Sequence, residues 1–299
     1  MTSSGFARDF YRLALNASSA ILGIETTKKL DSRFRFGRKL DLGNPKTLSD
    51  KICWIELNTD QTLAARCTDK YAVRSYVEEK GLGGILIPLV GGPWTNVSDI
   101  DIDSLPDQFV LKATHGCEMN YICRDKSKLD RNDLLNKASQ WLKEDYPRAC
   151  IEPHYKLVPH RIYAEAFVGG MDDTVDYKFH CINGEPRFCL TCSERESAGG
   201  LKLNLFDLEW QPMEGLQGPM KNDKEVARPA LLDGMLAVAR TLAEGFDFVR
   251  VDLYEHEGRV YFGEMTFSPA SGVLEYFTDD FVERWGDELH MLALEGRAA

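Results

Sequence analysis

Residues 250–272 constrain this chain most: Arg-Val-Asp-Leu-Tyr-Glu-His-Glu-Gly-Arg-Val-Tyr-Phe-Gly-Glu-Met-Thr-Phe-Ser-Pro-Ala-Ser-Gly. Residues 249–254 and 259–265 are rich in β-branched and aromatic side chains, and 255–258 form a polar turn between them. The pattern predicts two antiparallel strands. If their register pairs residues of equal parity, Arg250, Asp252 and Glu264 share one sheet face. Carboxylates on such neighbouring positions lie roughly 5–8 Å apart and repel unless a cation joins them. A hard divalent ion with oxygen ligands, such as Mg2+ on nucleotide phosphates, is one solution. A surface hairpin, or a plain Arg250–Asp252 pair, is the other.

With 299 residues, the chain can bury a real core in one large domain or in two to three lobes. Its net charge of −11 argues against a nucleic-acid partner, so an anionic substrate must meet a local basic site. No apolar run approaches the roughly 20 residues that cross a bilayer. The N-terminal 25 residues lack a signal-peptide pattern and read as an amphipathic helix with Phe6, Phe10, Leu13 and Leu15. Such a helix packs on the body or on a membrane surface. The eight cysteines include one C-x-x-C, Cys189 to Cys192, with no second pair at zinc spacing. They read as reduced thiols of a cytoplasmic protein.

Along the chain, Thr47 or Ser49 can cap a helix carrying Ile52, Trp54, Ile55 and Leu57. A helix opening at Asp69 and running to about Lys80 would put Lys70 and Arg74 on one face. Residues 109–112 are a short apolar strand that ends in Lys112, followed by a small-residue loop with Gly116. Lys112 there can meet phosphate oxygens, or simply snorkel. Residues 126–144 read as a helix whose main part Asp130 can cap. Residues 161–168 read as a strand, and 177–181 with 186–191 as a hairpin around Asn183-Gly184. Residues 193–200 read as a polar loop and 222–244 as a helix. No G-x-G-x-x-G or Walker A sequence precedes a helix, so dinucleotide and P-loop folds lose support.

The order of these motifs resembles the ATP-grasp superfamily. Lys112 closes an apolar strand, Glu165 sits in Ala-Glu-Ala-Phe-Val, and Asp176 opens Asp-Tyr-Lys-Phe. Arg-Val-Asp252 and Gly-Glu264-Met-Thr-Phe-Ser-Pro-Ala-Ser-Gly follow. Asn44-Pro-Lys-Thr, Asp69-Lys70, Ile87-Pro-Leu and Phe248-Val-Arg-Val-Asp-Leu-Tyr add a similarity to its TupA-like members, which belong to teichuronopeptide and capsular polysaccharide pathways. The resemblance covers about residues 44–286.

The resemblance implies an α+β protein with mostly antiparallel sheets, in which two α+β lobes clamp ATP. It implies an N-terminal region over residues 1–107, a lid subdomain over 108–168 and a C-terminal subdomain with the metal site over 169–299. Lys112 would contact the α- or β-phosphate, and Lys70 or Arg74 would supply a further cation. Ala164, Glu165 and Phe167 would belong to the hinge beside adenine, and Asp176 would bind the ribose. Asp252 and Glu264 would hold Mg2+. Thr266 stands where many members carry a third ligand, Asn, and Arg250 where a phosphate-facing arginine is common. Lys178 would serve the acceptor carboxylate or the γ-phosphate, with Lys202 or Arg195 nearby. The implied reaction is ADP-forming amide synthesis from a sugar carboxylate and an amino acid or other amine. The alternatives are a kinase on this fold, a glycosyltransferase of the same pathway, and a non-catalytic nucleotide-binding protein; Asp101-Ile-Asp103 has the Asp-x-Asp form of a nucleotide-sugar site but sits in a polar linker and reads as solvated.

Overall fold

The computed structural model describes residues 3–117, 119–146, 148–169, 174–193, 201–222 and 224–291. The chain forms two compact units. One joins Met1–Ile21 to Gln61–Gly169, and the other joins Leu22–Asp60 to Gly170–Ala299.

The first unit carries α1 (Ser3–Leu22), α4 (Thr62–Thr68), α5 (Val73–Glu79), α6 (Arg131–Lys143) and a four-stranded antiparallel sheet. The strands are β1 (Leu89–Trp94), β2 (Phe109–Ala113), β3 (Asn120–Cys123) and β4 (Ile162–Ala166), in the order β1-β4-β2-β3. Alternation in β2 sends Phe109, Leu111 and Ala113 into a core with Leu134, Ala138 and Trp141 of α6. Val110 and Lys112 therefore face the other way. The helix expected from residue 126 starts later, at Arg131. Asp125 caps a separate 3-10 turn at Lys126–Lys128, and Asp130 accepts the Asp133 amide at 3.0 Å to begin α6. The helix expected from Asp69 also starts later, at Val73. The Asp69 carboxylate takes the Tyr71 and Ala72 amides at 2.8 and 2.9 Å and the Arg161 guanidinium at 2.5 Å. Lys70 is thus in a turn, not on a helical face shared with Arg74.

The second unit carries α2 (Ile24–Phe36), α3 (Leu48–Asn58), α7 (Leu232–Ala243), α8 (Asp279–Glu288) and a five-stranded antiparallel sheet. Its strands are β5 (Asp176–Ile182), β6 (Glu185–Ser193), β7 (Lys202–Phe206), β8 (Phe248–His256) and β9 (Arg259–Thr266), in the order β7-β6-β5-β8-β9. Asn183 and Gly184 both hold positive φ, 53° and 79°, as the two-residue turn between β5 and β6 requires. Every residue of β5 is buried, because the strand is central and covered on both faces. Ile182, Phe188, Leu190 and Phe248 pack on one side with Ile52 and Trp54 of α3 and Phe281 and Trp285 of α8. On the other side Cys181 touches the Ala239 carbonyl of α7. Thr47 and Asp50 form a reciprocal capping box at the start of α3.

The helix expected over 222–244 is α7 alone. Lys224 and Val226 are instead held by other segments: Asn204 Nδ2 of β7 donates to the Lys224 carbonyl at 2.9 Å and Trp210 Nε1 to the Val226 carbonyl at 3.0 Å. All eight cysteines are free, and Cys189 and Cys192 are both buried in β6. The polar loop at 194–200, with Arg195, lies outside the described residues. In α1, Leu15 is buried while Phe10 and Leu13 are exposed. Leu15 lies about 140° round the helix from Phe10, so Phe10, Leu13 and Leu15 do not form one inward face.

Candidate active site

In the first unit three charged side chains meet above the β2–β4 face. Lys112 Nζ lies 2.5 Å from Glu165 Oε2, and Arg74 lies 3.1 Å from Glu165 Oε1. Val110 is the cross-strand partner of Glu165, and Lys112 that of Tyr163, which places both charges on one sheet face. Lys70 Nζ donates to the Gly116 carbonyl at 2.6 Å, and the Lys70 amide to the Thr114 carbonyl at 3.2 Å. The turn at Asp69 is thereby fastened to the loop after Lys112. Ala164 is paired with β1 on one side and β2 on the other, and its side chain is in the core. Its backbone is committed to the sheet. Phe167, past the end of β4, is outside that ladder, and the Arg124 guanidinium lies over its ring at 4.9 Å.

The second unit gathers the remaining residues on β5, β8 and β9. Lys178, Asp252 and Glu264 are successive cross-strand partners, and so are His180, Arg250 and Thr266. Arg250 grips Asp252 bidentately, with Nε and Nη2 each 2.7 Å from a carboxylate oxygen. The same Nη2 reaches Glu264 Oε1 at 3.2 Å and Thr266 Oγ1 at 3.0 Å. Thr266 Oγ1 also lies 3.2 Å from Glu264 Oε1. Lys178 pairs with Asp252 and, at 2.7 Å, with Asp176. Two cations therefore face three carboxylates, a net charge of −1 on a largely buried sheet face.

Each charge is held by its neighbours. Burial and Arg250 both pull the Lys178 ammonium down, but Asp252 and Asp176 outweigh them and keep it above its ordinary value. Burial pushes Asp252 up, and Arg250 with Lys178 more than reverses this, leaving it below the usual carboxylate range. Arg250 is pulled down by burial, yet Asp252 and Glu264 leave it firmly charged. His180 is the residue the sequence reading missed. It is buried, stacks on Phe188 at 4.5 Å, and its Nδ1 lies 3.2 Å from the Lys178 carbonyl. Burial and Arg250 hold it well below its ordinary value, so the ring is neutral and Nδ1 is its donor. Its Nε2 is buried without a hydrogen-bond partner. The period of two through Asp176, Lys178 and His180 was the available signal.

A strand irregularity makes this face. The hairpin pairs His256 with Arg259 and Leu253 with Phe262, but then Asp252 with Glu264. Gly263 is the extra residue of a β-bulge. Without it, Asp252 would pair with residue 263, and Glu264 would turn to the opposite face. A Cβ on Gly263 would lie 2.8 Å from the Tyr254 ring and 2.9 Å from the Asp252 carbonyl. Gly263→Ala should lower stability by about 1–3 kcal/mol and depress turnover more than nucleotide affinity. Urea unfolding set beside kinetics checks this, and a variant with parental stability and turnover would remove the bulge from the account.

Asp101-Ile-Asp103 does not form a ligand pair. Asp101 accepts the Asp103 amide at 3.1 Å and caps a 3-10 turn, while Asp103 pairs with Arg131.

A family model described as TupA-like ATPgrasp matches residues 50–290, and the chain belongs to that family. No curated protein matches the sequence. Among solved structures, the D-alanine–D-alanine ligase from Bacillus anthracis is 14% identical, with 83% of this chain and 67% of that chain covered and a TM-score of 0.41. The enzyme of the same name from Helicobacter pylori is 12% identical over 82% and 67%, with a TM-score of 0.44. An N5-carboxyaminoimidazole synthase from Aspergillus clavatus is 12% identical over 68% and 46%, with a TM-score of 0.42. These are remote likenesses.

Proposed function

We propose that the protein is an ADP-forming carboxylate–amine ligase that joins an amino acid to a uronic-acid-type sugar carboxylate in surface-polysaccharide synthesis. Membership of the TupA-like ATP-grasp family supports the class. The observation that carries the reading is the Asp252–Glu264 cross-strand pair beside Arg250. Its donors fit a hard cation. Both contacts to Glu264 fall on Oε1, leaving Oε2 open; the Asp252 oxygens, of the same chemistry, are held by Arg250 and Lys178, so a cation there takes the place of one of these. Asp252 and Glu264 would hold Mg2+, with Thr266 the third position. Bound there, Mg2+ would offset charge on the phosphates of ATP.

The chain's own residues supply the rest of the chemistry. Lys112 and Lys70 provide cations for phosphate oxygens, and Arg250 stabilises charge as it develops on the transferred phosphoryl group. The acceptor carboxylate attacks the γ-phosphorus, the bond to ADP breaks, and an acyl phosphate forms. The amine then displaces phosphate to give the amide. Phe167, beyond the β4 ladder, is the hinge residue whose backbone is free to read a base. Asp176, engaged by Lys178, reaches a ribose only if that pair opens.

The test is ADP release with ATP, Mg2+ and a panel of uronic acids and amino acids. A ligase releases ADP only when an acid and an amine are both present. Release with the acid alone would favour a kinase. Lys112→Met keeps the stem and removes the charge, so nucleotide should bind about 10- to 100-fold more weakly, the loss of one charged hydrogen bond. Parental affinity by calorimetry would make Lys112 merely the partner of Glu165.

A further inference from the structure

Lys178 and Arg250 share the Asp252 carboxylate but hold it differently. Arg250 reaches three side chains: Nε meets Asp252 Oδ1, and Nη2 meets Asp252 Oδ2, Glu264 Oε1 and Thr266 Oγ1. Lys178 Nζ lies between two carboxylates, Asp252 and, at 2.7 Å, Asp176. The face is laid out in rows across the sheet. His180, Arg250 and Thr266 make one row, and Lys178, Asp252 and Glu264 the next. Asp176 stands two residues before Lys178 on β5, opposite Tyr254 and on the side away from Arg250.

A divalent ion on Asp252 and Glu264 arrives where both cations already sit. Its open approach is Glu264, 40% exposed against 2% for Asp252 and 9% for Lys178. Two cations against three carboxylates leave the face at −1, and a divalent ion added with both in place would take it to +1. Like charges a few Å apart repel strongly where little water screens them, so one resident gives way. Moving Arg250 would break a bidentate pair together with its bonds to Glu264 and Thr266. Moving Lys178 breaks one ion pair of two, and its flexible stem can leave the ammonium on Asp176. Burial and then Arg250 already act against the charge on Lys178, which Asp252 and Asp176 sustain.

We propose that Lys178 keeps the metal's place: it neutralises Asp252 in the metal-free protein and turns to Asp176 alone when a divalent ion binds. Asp176 is then the second seat of the lysine, not a ribose ligand. This rests on Asp252 and Glu264 being the metal ligands. Mn2+ is the probe. Crystals of the full chain soaked in Mn2+ should carry the ion between Asp252 and Glu264, with Lys178 Nζ on Asp176 and off Asp252. Mn2+ binding in solution, read by electron paramagnetic resonance without nucleotide, should rank the variants. Asp176→Asn removes the second seat and should weaken binding about 10- to 100-fold, the pull of one unit charge across a few Å of protein. Lys178→Met removes the competitor and should tighten binding by a similar factor. Lys178→Met with Asp176→Asn keeps the parental charge of the face and serves where the single lysine variant does not fold. That double variant should bind Mn2+ at least as tightly as the parent. No Mn2+ between Asp252 and Glu264 would end the metal reading and this proposal with it. Mn2+ there with Lys178 still on Asp252, parental affinity in Asp176→Asn, or weakened binding in the double variant would end the exchange alone and leave the metal site standing.

Discussion

Asp252→Asn should abolish ATP-dependent turnover, a loss of at least about 1,000-fold if a metal-ligating charge is removed from phosphoryl transfer. It should also destabilise the second unit. Asp252 is buried and takes both Arg250 and Lys178, so the neutral amide leaves two buried cations short of an anion. Breaking a buried pair from one side costs about 3–5 kcal/mol. Activity alone therefore cannot separate chemistry from folding. Glu264→Gln can, because the Glu264 side chain is 40% exposed and receives only weak contacts. Turnover should be lost there while the thermal midpoint stays near the parent. Full turnover in Glu264→Gln at saturating Mg2+ would remove the pair from the metal site.

Lys178→Met should cost about 3–5 kcal/mol of stability, again by leaving buried charge uncompensated. The sequence invites a catalytic role for this lysine, toward an acceptor or a γ-phosphate. The structure instead places its ammonium between Asp176 and Asp252. Adding Asp176→Asn should restore part of the loss, because the second substitution removes the carboxylate that the first strands. Saturating Mg2+ should restore part of it too, by binding the folded state. Additive losses in the double variant, read by urea unfolding, would show that the two residues do not share a charge. If Lys178→Met keeps parental stability and loses only kcat, the lysine belongs to the reaction after all.

How legible was this in the sequence? The hairpin was, because its strands are dense in β-branched and aromatic residues and its turn is polar. The shared face of Asp252 and Glu264 was legible only as a condition on register. A regular two-residue hairpin fails that condition, and the bulge at Gly263 satisfies it. A glycine in a strand hints at a bulge but does not fix its place. Helix starts shifted wherever an aspartate capped a turn first, as at Asp69 and Asp125, since capping is decided by local geometry. The stretch before α7 reads as helix in the sequence because the hold of Asn204 on Lys224 and of Trp210 on Val226 is a tertiary contact. Partners were less legible than positions. Glu165 appeared as a hinge residue, and nothing in its neighbours announced Lys112 and Arg74 from two other segments. His180 escaped because a buried histidine beside aromatics looks like core.

The most direct test of the central claim follows oxygen. When a carboxylate acceptor labelled with oxygen-18 is turned over with ATP and amine, an acyl phosphate route leaves one label in the amide and carries one to inorganic phosphate. The account predicts labelled phosphate in step with ADP, detected by mass. Unlabelled phosphate accompanying amide formation would contradict it.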